Sequence, residues 1–314
     1  VTMISSTTSS GTYGAGSNIN ITLDFSKNVT LSGSNGLIVT LNATRGGSPI
    51  VVNIPAFGPA STVSATYTMV AGDNSSGADI AVTDIALGTG STLRDSVANN
   101  PNDAVLMPLP AGQNIATNST DPKNIKFDAV TPVITQITSS SANGTYGTGA
   151  AIDVTVNFNK SVTLSGGLLN VTLDTGDVVS VSAGSYPASV FTGTYTVSAG
   201  QTSADLNATG VALSAGTLRD SVPSNPNNAD LTLPSSNLAN NKAIVIDGVA
   251  PVITSITSST SDGRYGVGTA VNVQINFSKN VTLAGGTLDV TLDTGDVLSI
   301  GTISDTNVAN ATYT

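Results

Sequence analysis

Cysteine, histidine, tryptophan and glutamate are all missing from the 314 residues. Without cysteine no disulfide can staple the chain and no thiolate can bind metal. Without histidine, cysteine and glutamate, acid, base and nucleophile chemistry falls to aspartate, lysine, tyrosine, serine and threonine alone. Aromatic residues make up only 4% and charged residues 10%, and no apolar run approaches the roughly 18 residues of a membrane helix. The ten lysines and arginines form no cluster, and the net charge of −10 disfavours nucleic acid, whose phosphates need cations to replace their counterions. So sparse a charge also differs from a heavily charged disordered tail.

Glycine, serine, threonine, asparagine and valine dominate what is there. Good helix formers are scarce and β-branched residues abundant, which predicts an all-β chain. The composition reads as exported. The chain carries no initiating methionine and no signal peptide, and it starts just inside a repeat, as a mature or excised segment would.

That repeat organises everything else. VITSITSSTSDGRYGVGTAVNVQINFSKNVTLAGG from Val252 matches VITQITSSSANGTYGTGAAIDVTVNFNKSVTLSGG from Val133 without a gap, at roughly three positions in five. A looser copy, MISSTTSSGTYGAGSNINITLDFSKNVTLSG, begins at Met3. Equivalent tyrosines, Tyr13, Tyr146 and Tyr265, lie about 120 to 133 residues apart, a whole-domain period rather than a solenoid period.

Within each copy, Ile19, Ile21, Leu23 and Phe25 alternate with Asn20, Thr22 and Asp24. Period two with one apolar face predicts a half-buried antiparallel strand. Ile152, Val154, Val156 and Phe158 repeat the pattern, as do Val271, Val273, Ile275 and Phe277. About seven such strands per copy, separated by turn signals, predict tandem immunoglobulin-like β-sandwiches without the Cys…Trp…Cys core of antibody domains. The expected domains are 1–130, 131–249 and 250–314, the third lacking its last two strands and so leaving an apolar groove and open edges. Continuation of the array, or completion by a neighbouring chain, would cover them. The linkers DAVTP and DGVAP are short and carry proline, which predicts a stiff extended string of about 35 to 40 Å per module.

The motifs IDGVAPVITSIT, GRYGVG, VNVQINFSKNVTL, LDVTLDTGD and GTLRDSV, in that order, resemble the tandem Ig-like repeats of very large bacterial and archaeal surface proteins and adhesins. The resemblance covers essentially the whole chain. It implies a stalk, extender or filament body outside the cell, partnered by further repeats or other copies of itself. One departure is Lys27, Lys160 and Lys279, where such repeats commonly carry an acidic residue.

Four site readings follow. Catalysis is not expected, because the prominent aspartates recur with the module, as Asp95 and Asp220 do, whereas an active site more often occurs once. Calcium at the junctions between copies is the candidate cofactor, held by Asp128, Asp174, Asp177, Asp220 and Asp247, since hard oxygen ligands suit it. The plainer reading is that DTGD is a hairpin turn and the LRDS aspartate a loop cap. Of about twelve Asn-x-Ser/Thr triplets, Asn20, Asn28, Asn118, Asn143, Asn276 and Asn280 are expected on outward strand faces or turns, where N-linked glycans would attach; a threonine-rich surface generates such triplets by itself. Lys160 with Asn240 or Asn241 is an isopeptide candidate, against a solvated lysine in a loop. The GxYGxG turns precede strands, not helices, and are no nucleotide fingerprint; their tyrosines are expected over the domain pole. A carbohydrate-binding adhesin module and a pilus-like subunit completed by a neighbour's strands remain as alternatives.

Overall fold

The computed structural model describes residues 1–314. Twenty-five strands account for its regular structure, with one 3-10 turn at Ile115–Thr117 and one helical turn at Leu238–Asn241. No helix is long and apolar enough to cross a membrane.

The alternating stretch forms the longest strand, Asn18–Ser32. Ile19, Ile21 and Leu23 are fully buried while Asn20, Thr22 and Asp24 stay half-exposed, and each buried side chain of that size contributes about 1.5–3 kcal/mol. Met3–Ser5 and Phe57–Thr68 flank this strand, and Thr92–Asp95 pairs with its far end, all antiparallel. The same order recurs as Ile134–Thr138, Ala151–Ser165 and Ala188–Thr196 with Thr217–Asp220, and again as Ile253–Thr257, Val271–Leu283 and Ile303–Tyr313.

A second sheet in the first copy pairs Leu37–Arg45 with Ser48–Ile54, Asp73–Asn74 and Val82–Leu87. Ile19 and Leu23 from one sheet share a single core with Leu37, Val39 and Ile85 from the other. Two sheets around one core make this copy a β-sandwich.

The first strand of the first two copies is broken, and side chains explain the break. In the first copy Met3–Ser5 pairs antiparallel with the long strand, whereas Gly11–Tyr13 runs parallel to Ile125–Phe127. Between them the Thr7 N–H donates to Asn20 Oδ1 and the Asn20 N–H to Thr8 Oγ1, so side chains take over the ladder. Asp153 plays the same part in the second copy, accepting from the Ser140 and Ser141 N–H groups at 2.7 and 2.9 Å. Burial pushes its carboxyl up, but these serine hydrogen bonds outweigh burial and hold it well below the usual carboxylate range.

The chain divides into two compact units: Val1–Asn143 with Ala151–Tyr195 and Asp205–Ile244, and Gly144–Ala150 with Thr196–Ala204 and Val245–Thr314. The first unit holds the first copy and most of the second. In the second unit, the Gly147–Ala150 turn, the Val197–Gln201 turn and the linker are joined by hydrogen bonds through Gly149, Gly200 and Gly248. The third copy buries Val273, Ile275, Ile300, Ile303 and Ala309, and the last four form its core cluster. Its first strand is exposed throughout: Ile253 is 50% accessible, where the corresponding Ile134 is 5%.

Candidate functional site: a lysine-centred joint

Where the first copy meets the second, Lys160 holds three groups at once. It projects from Ala151–Ser165 just before Val162, which pairs with Asp220. Its Nζ donates to Asp128 Oδ1 and Oδ2 at 2.7 and 2.9 Å, to the Val130 carbonyl at 3.2 Å and to Asp220 Oδ2 at 2.8 Å. Asp128 follows the strand Ile125–Phe127 and opens the linker, so the ammonium ties the linker to the body of the second copy. An ammonium has three N–H donors and no acceptor, and three acceptor groups, presenting four oxygens, surround this one.

Asp220 is positioned before the lysine reaches it. It is buried, and it accepts from the Asn227 N–H at 2.8 Å, Asn227 Nδ2 at 2.7 Å and the Val222 N–H at 3.3 Å. Asn227 Nδ2 also donates to the Asp128 carbonyl at 2.8 Å, closing a ring around the lysine. Burial pulls Lys160 toward lower pKa, but hydrogen bonds to Asp128 and Asp220, and their charges, leave it above its ordinary value.

The loop beyond Asp220 closes the joint sterically. The Gly14 N–H donates to the Ser224 carbonyl at 2.8 Å and the Ala15 N–H to Asn227 Oδ1 at 3.2 Å. A Cβ on Gly14 would stand 2.0 Å from the Asn225 carbonyl, so only glycine permits this approach. The turn that carries Tyr13 therefore lies at the pole of its copy and against the next.

The joint recurs with variations. In the third copy Lys279 Nζ lies 2.6 and 2.7 Å from the two Asp247 oxygens and also donates to the Val249 carbonyl. That lysine hydrogen bond holds the Asp247 carboxyl below its ordinary range. In the first copy Lys27 meets Asp95 alone, at 3.0 Å. Asn102 binds Asp95 through its side chain and backbone, and these bonds hold that carboxyl far below the usual range.

This arrangement gives Asp128, Asp220 and Asp247 a partner other than the expected calcium. Asp128, Asp220 and Asp247 do sit at junctions, but their oxygens surround an ammonium at N–H···O distances. Calcium would need six to eight oxygens at about 2.3–2.6 Å, and no group of three or more acidic side chains is assembled. Asp174 and Asp177 serve the hairpin between Leu169–Leu173 and Val178–Val181 instead. The Leu173 N–H donates to the Asp177 carbonyl, and Asp174 is bonded to Asn207 through backbone and side chain.

The isopeptide expectation fails for the same reason. Lys160 is engaged by carboxylates, while Asn241 Nδ2 donates to the carbonyls of Ile137, Ser236 and Asn237. The acceptor asparagines divide. Asn118 is buried, and its Oδ1 caps the N–H groups of Thr120 and Asp121, so it is a loop anchor rather than an exposed acceptor. Asn20 staples the broken first strand, and Asn276 Nδ2 donates to Ser255 Oγ at 2.9 Å. Asn28 and Asn280 are exposed, but they lie inside Asn18–Ser32 and Val271–Leu283 where the pairing shifts register, not in turns. Asn143 is exposed, with its Oδ1 accepting from the Ala243 N–H.

A second buried charge cluster was not foreseen. Asp73, fully buried, accepts from Arg45 Nε at 2.8 Å and from the Tyr67 hydroxyl at 2.5 Å. Burial, then the Asp73 hydrogen bond, pushes the Tyr67 hydroxyl up to about 12. The signal was in the repeat: Arg45 replaces the DTGD turn only in the copy that has Asp73 where the second has Gln201. The neutral Gln201 needs no cation and keeps the same backbone bond, accepting from the Ser198 N–H as Asp73 accepts from the Val70 N–H.

No protein-family model matches the chain, and no curated protein matches it. Among solved structures, it is similar to a DUF4785 family protein from Legionella pneumophila at 9% identity and a TM-score of 0.22, over 96% of this chain and 79% of that one. A likeness of that degree carries no argument about fold or function.

Proposed function

We propose that the chain is a non-catalytic structural array, a series of Ig-like sandwiches that forms or extends a filament, stalk or adhesin at the cell exterior. The joint at Lys160 is the observation that supports this most. A loose tether would need only chain connectivity, whereas here an ammonium, a buried carboxylate and a glycine contact fix the linker to the next copy. The buried carboxylate of Asp220 serves connection between copies, and acidic groups such as Asp95 and Asp220 recur with the module. Small-angle scattering on chains of two, three and four copies tests the reading. The maximum dimension is expected to grow by about 35–40 Å per copy, from strands of eight to ten residues plus loops. Growth scaling as a flexible chain's, or no growth, would overturn it.

A second reading has its own support in the exposed first strand of the third copy. Val252, Ile253 and Ile256 are 59%, 50% and 56% accessible, an apolar edge that another chain's strand would cover. In this reading the chain is a self-assembling subunit, and its sedimentation would rise with concentration. Glycan binding by the isolated chain would instead favour an adhesin module.

A further inference from the structure

We propose that Lys27, Asp95 and Asn102 form a receptor site for the Asp-x-Val strand end of another module of this kind. The proposal rests on the array reading and names a contact by which two modules are joined. The template is the second copy. There Lys160, Asp220 and Asn227 grip Asp128–Val130 by both carboxylate oxygens of Asp128, its carbonyl and the carbonyl of Val130.

The first copy carries the same three residues in the same internal geometry. Asn102 donates to Asp95 from its backbone and side chain, both at 2.8 Å, as Asn227 does to Asp220 at 2.8 and 2.7 Å. Lys27 stands 3.0 Å from Asp95, as Lys160 stands 2.8 Å from Asp220. The difference lies in what covers the lysine: its side chain is 60% accessible at Lys27, 22% at Lys160 and 31% at Lys279. Beside it opens a cavity of about 280 Å³ lined by Phe25, Lys27, Asp95, Asn102 and Val105.

The chemistry of the occupant follows from the two filled sites. With one lysine N–H already given to Asp95, it needs a carboxylate whose two oxygens share a second and a carbonyl two residues later to take the third. DAV at 128–130 and DGV at 247–249 supply both, each 32 residues before its lysine. Other anions satisfy the charge but not the carbonyl, so an acidic strand end in register is the fitting partner.

The test fuses a duplicate of residues 1–133 ahead of Val1, which sets an Asp-x-Val segment 32 residues before Lys27. Lysine acylation by a limiting reagent, read by peptide mass spectrometry, compares Lys27 with Lys160 inside one molecule. Acylation needs an accessible, unengaged amine, and the joint covers the lysine and engages its N–H groups. In the unextended chain Lys27 is expected to react about threefold faster than Lys160, in proportion to side-chain accessibilities of 60% and 22%. In the extended chain it should slow to match Lys160, and replacing the duplicate's aspartate by asparagine should restore the fast rate. Undiminished labelling of Lys27 in the extended chain, with Lys160 still protected, would overturn the proposal, as would equal protection by the asparagine form. A second measurement does not depend on folding of the duplicate: the peptide NIKFDAVTP added to the unextended chain should shift the NMR signals of Lys27, Asp95 and Asn102, and its Asp→Asn form should not. Shifts elsewhere only, or identical shifts with both peptides, also overturn it. The scattering series judges the array reading separately.

Discussion

Replacing Lys160 with methionine keeps most of the side-chain volume and removes the ammonium. Asp220, whose side chain is 1% accessible, then keeps three neutral donors, the N–H groups of Val222 and Asn227 and Asn227 Nδ2, but loses its only cation. Breaking a fully buried ion pair costs about 3–5 kcal/mol, and one hydrogen bond to a charged group is worth about 1.5–3 kcal/mol. The remaining donors and the partial exposure of Asp128, 34% at the side chain, move the expected loss to about 2–3 kcal/mol. Lys27→Met is the internal control: its ammonium is 60% accessible and makes one contact rather than Lys160's several, so although Asp95 is itself buried, this variant should lose the less stability of the two. Urea unfolding of the full chain, fitted with a common m-value, measures both. A double-mutant cycle of Lys160→Met with Asp128→Asn should give a coupling of about 1–2 kcal/mol, since the two side chains touch. If the two methionine variants lose equal stability, or the coupling falls below about 0.5 kcal/mol, the joint is an incidental surface contact and the reasoning fails.

Gly14→Ala should cost about 1–3 kcal/mol through collision with the Asn225 carbonyl, whereas Gly266→Ala, which meets open space, should stay within about 0.5 kcal/mol; paired urea curves decide it. Millimolar calcium and EDTA should both leave the melting temperature unmoved, because the junction oxygens already surround an ammonium; a calcium-dependent rise would contradict that assignment. Tyr67, raised to about 12, and Lys160, raised above its ordinary value, contribute stability fully present below their unfolded pKa values and lost as pH climbs through the folded ones. Stability should therefore fall between about pH 10 and 12, and Tyr67→Phe should flatten its tyrosine-specific part, followed by tyrosinate absorbance. Asp95 and Asp247, both depressed, act at the other end: their contribution is present above the ordinary carboxylate pKa and lost as pH falls through the folded value, which an acid titration of the melting temperature reads.

The long strand was legible because its signal is local. Ile19, Ile21, Leu23 and Phe25 alternate with polar residues, and burial follows that alternation residue by residue. The DTGD hairpin was legible for the same reason, as a turn between two short strands. Asn118 was not, because a buried asparagine that caps two N–H groups and an exposed glycan acceptor share the same three-residue pattern. Nor was the break in the first strand, which depends on Asn20 and Asp153 reaching across to a neighbouring segment. Periodicity reports which face is inward; it does not report what a polar side chain meets there.

The lysine joint shows where such reading stops and what carries it further. Aspartates recurring at the junctions correctly suggest that something positive lies between them, but charge alone does not say whether it is a metal or a side chain. The distinguishing mark is the 32-residue spacing, which sets Lys160 and Lys279 the same distance after Asp128 and Asp247. Had the lysine position been acidic, two or three carboxylates would converge and need an external cation to hold them. With lysine there, the cation between Asp128 and Asp220 is encoded in the chain, so the hold of this joint on the linker does not vary with the concentration of a dissolved metal.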